Sequence, residues 1–173
     1  MSKVKTNAMR WLDQHKIGYD VLTYEVKDGA IDGISVAAKV GRPVEVVFKT
    51  LVTRGASKAI YVFVIPVAKE LDLKKAAKAV NEKKIELIAV NEINKLTGYI
   101  RGGCSPIGMK KSYPTLIDST AMALPTFIVS AGKIGFQLEL DPQVLSRLLD
   151  AQFLEGRWRI NTWVGFFYLR LTV

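Results

Sequence analysis

The chain has one cysteine, Cys104, and one histidine, His15, among its 173 residues. One thiol excludes an internal disulfide, and the pair leaves no Cys/His cluster for a zinc site, so a reduced, metal-free protein is expected. No run of ~18 apolar residues is present to span a bilayer. The N-terminal MSKVKTNAMRWLDQHK lacks the apolar core of a signal sequence, so the expected location is cytoplasmic, with no membrane partner. Acidic residues are also scarce: 16 Asp and Glu face 25 Lys and Arg, a net charge of +9. That balance favours a polyanion, with nucleic acid the leading candidate and a solvated basic surface the ordinary alternative. Familiar catalytic motifs are missing too. Gly103 to Gly108 has the spacing of a Walker loop but is followed by Met109, and there is neither a Gly-x-Gly-x-x-Gly turn nor a Gly-x-Ser-x-Gly elbow.

What is present suits one domain, long enough to bury about 70% of its unfolded surface. Thr6 or Asn7 can cap a helix to about Lys16, with Ala8, Met9 and Leu12 on one side. Residues 19–26 alternate as a strand, 27–33 read as a loop, and a short helix from Ser35 to Val40 stops at Gly41. The apolar, β-branched runs 46–53 and 59–68 belong in a well-covered sheet. Residues 71–80 form a basic amphipathic helix, with Leu73, Ala76, Ala77 and Val80 as its stripe and Lys74, Lys75 and Lys78 on the remainder. A short strand over 86–90 leads to a helix capped by Asn91 and ending at Gly98. Strands at 115–119, 126–130 and 135–140 follow, and Asp141-Pro142 starts a helix to Asp150. Interleaving without a regular βαβ period points to an α+β fold, a mixed sheet covered by helices.

Two features carry chemistry. In Thr97 to Lys111, TGYIRGGCSPIGMKK, Gly102 and Gly103 permit positive φ or close approach to a ligand, and Ser105-Pro106 shapes the turn. Backbone amides in such a loop can bind a polar group, and a plain inter-strand turn is the bland alternative. Lys49, in VVFKTLVT, shares its strand face with Val47, Leu51 and Thr53, and an unpaired buried ammonium there is costly. Either it shields an edge strand or it holds a phosphate or polarises a carbonyl. Cys104 could be activated by Lys110 or Lys111, but no base stands near it in sequence, and a small loop residue is the simpler role.

The segments VFKTLV, PVAKELDLKKAAKAV, KKIEL, TGYIRGGCSPIGMKK, PTLIDS, VSAGKIGFQLEL and LLDAQF, in that order, resemble the YbaK branch of the YbaK/EbsC family. Those proteins are stand-alone Cys-tRNA(Pro) deacylases related to the editing domain of bacterial prolyl-tRNA synthetases. The resemblance spans about Lys5 to Leu154. It implies a mixed, partly barrel-like sheet covered by helices in an editing domain over residues 1–154, with 155–173 an atypical tail. It also implies trans-editing of proline tRNA mischarged with cysteine, a near-isostere that a synthetase pocket rejects poorly. The implied mechanism is substrate-assisted: the cysteine thiol attacks its own carbonyl, releasing tRNA and a cyclic thioester, without metal, cofactor or enzyme nucleophile.

Carried over, Lys49 and Thr50 would contact the terminal adenosine or the ester, and Gly102 and Gly103 would bind the carbonyl oxygen or amino group through backbone amides. Tyr24 and Ser130, with Ser105 and Pro106, would line the pocket. Lys74, Lys75, Lys78, Lys110 and Lys111, with Lys83 and Lys84, would meet tRNA phosphates, and tRNA choice would come from prolyl-tRNA synthetase in a ternary complex. The protein itself would be a monomer or homodimer. A deacylase for alanine or another small amino acid using activated water, and a non-catalytic tRNA- or synthetase-binding module, are the alternatives. Some members carry Asp where Gln137 stands, so Gln137 is left out of the site. Loop 29–33 lacks an aromatic residue opposite the substrate. The tail, with Trp158 and Trp163, suits an added strand, an oligomer contact or an out-of-frame extension.

Overall fold

The structure, a computed structural model, describes residues 4–154; the atypical tail of the sequence reading lies outside the described residues. Helix α1 (Asn7–Gln14) starts where Thr6 Oγ1 accepts the Met9 N–H at 3.2 Å, and it buries Ala8, Met9 and Leu12. β1 (Asp20–Thr23) follows and is shorter than its alternation suggested. α2 (Gly33–Lys39), β2 (Phe48–Gly55) and β3 (Ile60–Pro66) come next. Then come α3 (Leu73–Ala79), β4 (Ile85–Leu87) and α4 (Val90–Thr97). β5 (Thr115–Asp118), β6 (Phe127–Ser130), β7 (Phe136–Leu140), α5 (Pro142–Leu149) and β8 (Gln152–Leu154) complete the order.

Aspartates cap three of the helices. Asp32, Asp72 and Asp141 each accept a first-turn N–H, an arrangement worth about 1 kcal/mol apiece. Asn91 does not do so for α4: that helix begins one residue earlier, behind Ala89, which offers no side-chain cap. Its end at Gly98, with φ +85°, is as expected.

Two layers result, an antiparallel three-stranded sheet β1-β7-β6 and a mixed five-stranded sheet β4-β2-β3-β5-β8. One isolated parallel bridge, Val47 to Ile128, stitches β2 to β6, so the layers curve into each other along one seam without closing a barrel. The main core lies between them: Phe48 packs edge-on against Phe127 at 5.2 Å, joined by Val62, Val64, Val129, Leu138 and Leu145. Alternation sends Phe63, Ile65 and Leu116 to the opposite face of the larger sheet, where Ala76, Ala77 and Ala79 of α3 cover them. Leu73, assigned to the apolar stripe from its spacing, is 38% exposed, and Ala79 takes its place. A third cluster, Ala37, Val47, Val67 and Ile128, seats α2 against the seam.

Candidate active site

β2 lies between β3 and β4, but the β4 ladder stops short of Lys49, so shielding an edge stays open to this lysine beside a binding role. β4 pairs only with Thr53 to Gly55, which leaves the Lys49 end of β2 beside β6. In the parallel register of the Val47–Ile128 bridge, Lys49 stands two residues past Val47 and Ser130 two residues past Ile128. Both therefore follow the bridge by two residues, on strands that no longer pair there. The Lys49 ammonium lies 3.5 Å from a carboxylate oxygen of Glu70, which is 96% exposed. So loose a surface pair contributes at most ~1 kcal/mol and leaves the lysine available to an anionic or carbonyl group.

The same sheet face carries Leu22, Ser130 and Gln137, because Gln137 pairs with both Leu22 and Ser130. Gln137 is 6% exposed. The sequence reading set it aside for want of a charge, yet its register puts it in the middle of this face. One step beyond β1, the Tyr24 N–H donates to Gly135 O at 3.0 Å, and its buried hydroxyl has no hydrogen-bond partner among the described residues. Thr50 Oγ1 is likewise buried and unpartnered, but alternation turns it toward the main core, away from the Lys49 face. Buried hydroxyls without partners are uncommon and point to a group that they are shaped to meet.

The glycine-rich loop closes the other side. Gly102 has φ +85°, and a Cβ there would lie 2.9 Å from Ile31 Cδ1 and 3.6 Å from Ile134 Cδ1. A Cβ on Gly103 would lie 3.0 Å from the Ile134 nitrogen. The Gly-Gly backbone is thus pressed against the 131–135 turn that follows Ser130 and against the 24–33 loop that follows Tyr24. Ser105 and Pro106 lie deeper: Ser105 is fully buried, and its Oγ accepts the Ile107 N–H at 3.3 Å, which braces the loop from within. Tyr99 spans the loop, donating to Ile107 O at 2.6 Å while its ring backs Gly132. Ser130 Oγ accepts the Gly132 N–H at 3.2 Å, so it also shapes the turn. Burial pushes the Cys104 thiol up to about 11, well away from a reactive thiolate.

The basic residues divide between two places. Lys74, Lys75 and Lys78 are exposed on α3, which covers the Phe63–Ile65 face of the larger sheet, the face that Lys49 shares. Lys83 and Lys84 are exposed between α3 and β4. Lys110 packs along Gly98, and Lys111 borders a separate pocket with Trp11, Met109, Tyr113 and Leu148, on the main-core side. Spacing along the chain could not separate these groups, since it does not show which sheet face an element covers. The sequence does not single out Ile31 and Ile134, which flank Gly102, or Lys39, which lines a depression with Thr23, Tyr24 and Glu25. The run Asp32-Gly33-Ile34-Ser35 is a helix start that sets Ile31 just ahead of α2, with Lys39 as its last residue.

Residues 31–148 match the family of aminoacyl-tRNA editing domains. The chain is 46% identical over 151 residues to EbsC of Enterococcus faecalis, a protein provisionally named a Cys-tRNA(Pro)/Cys-tRNA(Cys) deacylase; the match covers 87% of this chain and 92% of that one. Among solved structures, a provisionally assigned trans-editing enzyme for prolyl tRNA synthetase superposes with a TM-score of 0.78 at 24% identity, over 88% of this chain and 98% of that one. Hypothetical protein APE2540 superposes with a TM-score of 0.79 at 21% identity, over 87% and 98% of the two chains. These two likenesses establish the fold.

Proposed function

Since the chain belongs to the aminoacyl-tRNA editing domain family, we propose that it hydrolyses the ester of mischarged tRNA, with cysteine on proline tRNA as its substrate. The observation that supports this reading is that the positive-φ Gly102 and its neighbour Gly103 pack on the 133–134 backbone and side chains, the turn to which the Tyr24 N–H is bound at Gly135, while Lys49 lies two residues past the bridge that joins β2 to β6. An aminoacyl ester offers what each of these can hold: a carbonyl oxygen that gains negative charge, an ammonium and a ribose. In the substrate-assisted route the cysteine sulfur bonds to its own carbonyl carbon, the carbon–oxygen ester bond breaks, and the thiol proton goes to the leaving ribose oxygen. The products are tRNA and a cyclic thioester. Lys49 and the Gly102–Gly103 amides stabilise the developing oxyanion, and Cys104, protonated and screened, takes no part.

The α3 lysines lie on the Lys49 face and suit the phosphates of an acceptor stem, contacts that orient RNA without reading its sequence. Choice of tRNA then rests with a partner, and prolyl-tRNA synthetase in a ternary complex is our assignment. The test offers Cys-, Ala- and Ser-charged proline tRNA, and Cys-charged cysteine tRNA, to the wild type and to Lys49→Met. Cysteine should be released fastest, and K49M should lose about 10²-fold or more in rate, the scale of one oxyanion donor, with its melting temperature kept. Alanine released as fast as cysteine would sink the thiol-assisted route. An active K49M would remove Lys49 from the mechanism, and tRNA binding without any release would favour a non-catalytic module.

A further inference from the structure

Lys39, near the end of α2, turns back across the 24–31 loop. Its ammonium donates to Glu25 O at 2.7 Å, to Asp28 Oδ1 at 2.6 Å and to Ala30 O at 2.9 Å. An ammonium has three protons, and all three are committed to this one loop. The same nitrogen lies 6.0 Å from the centre of the Tyr24 ring, on its face. Asp28 Oδ1 accepts the Ala30 N–H as well, at 3.0 Å, so a single carboxylate oxygen ties the loop to the lysine and to itself. The Lys39 side chain is only 20% exposed. With Thr23, Tyr24 and Glu25 it lines an open depression beside the seam.

The loop so held carries Tyr24 at one end and Ile31 at the other. Tyr24 presents its unpartnered hydroxyl, and Ile31 reaches the Cβ direction of Gly102. Its other fastenings are few: the Tyr24 N–H to Gly135 O, and a turn closed by the Gly29 N–H to Val26 O. Residues 25–29 are all exposed, so packing does little to hold them. We infer that Lys39 is a positioning residue for the deacylation reaction, the staple that sets the 24–31 loop so that Ile31 packs on Gly102 and Tyr24 stays against the 133–135 turn on which the Gly102–Gly103 backbone rests. This rests on the editing reading of the site. With every proton engaged, Lys39 does not bind the substrate itself; it acts through the loop.

The test compares the wild type with Lys39→Met, which keeps the stem and removes the three donors. Two readouts are taken: amide hydrogen exchange over residues 24–31, and kcat and KM for cysteine release from charged proline tRNA. K39M should raise exchange in the loop at least tenfold, most at Ala30, and lower kcat/KM ~10- to 100-fold, the cost of misplacing contact groups by about an ångström. Asp28→Asn should do less, since both carbonyl acceptors remain. K39M combined with Tyr24→Phe should lose less than the product of the two single losses, because one acts through the other. Unchanged loop exchange, or raised exchange with unchanged kinetics and multiplicative double-variant losses, overturns the role of Lys39 alone. No cysteine release by the wild type overturns the editing reading and this inference with it. Should K39M not fold, D28N is judged by the same two readouts.

Discussion

Replacing Gly132 with alanine tests the packing beneath the turn that carries the pocket. Gly132 has φ +92°, so any side chain there costs about 1–2 kcal/mol in backbone strain. The added Cβ would also lie 2.5 Å from Tyr99 Cε1 and 3.1 Å from Cζ. The ring has little room to retreat: Tyr99 is 4% exposed, its hydroxyl is bound to Ile107 O, and Gly108 closes on the hydroxyl. Overpacking of that kind adds about 1–3 kcal/mol. The total, about 2–5 kcal/mol, corresponds to a fall of roughly 5–20 °C in melting temperature for a chain of this size, read by circular dichroism or calorimetry. In a Tyr99→Leu background, the same alanine should cost only the strain of about 1–2 kcal/mol, leaving a coupling of about 1–3 kcal/mol between the two sites. A Gly132→Ala protein melting within 2 °C of the wild type, or an equal cost in both backgrounds, would refute the clash.

Cys104→Ala should leave cysteine release unchanged, as measured on charged tRNA. Because burial raises the Cys104 thiol from its ordinary 9.0 to about 11, the thiol's contribution to stability is whole below pH 9.0 and disappears as pH climbs through 11. Urea titrations should show that loss in the wild type and its absence in Cys104→Ala, with slow labelling of the thiol near neutral pH as a second check. Reversing Lys74, Lys75 and Lys78 to glutamate should weaken tRNA binding and flatten its dependence on salt, by up to about three units of log–log slope, while Lys110→Glu with Lys111→Glu should do less. Equal effects from the two sets would deny that the Lys49 face receives the RNA.

Much of the fold was legible because its signals are local. Thr6 and Asp141 announce helix starts, Gly98 announces an end, and the runs that became β2 and β3 are too apolar for anything but a covered sheet, whereas the helix expected over 71–80 starts only behind Asp72. The absence of a Walker loop or a hydrolase elbow is also a property of the chain alone. The boundaries of β1 and α4 strayed by a few residues, since pairing with Gly135 and the φ/ψ of Ala89 depend on neighbours far along the chain or on geometry that composition does not encode.

The site was half legible. Lys49 and the Gly102–Gly103 loop stood out as residue types too costly or too specialised for their surroundings, before anything was known of what lay beside them. Only the tertiary structure decided that β2 meets β6 at Val47, just before Lys49, that Thr50 turns inward, and that Gln137 sits between Leu22 and Ser130. It also decided which lysines share a face, and that Lys39 spends all its protons on one loop. A sequence prescribes period and caps through interactions a few residues apart. The register of a sheet and the face to which a loop returns are settled by contacts between residues tens of positions apart, whose energies depend on the packed whole.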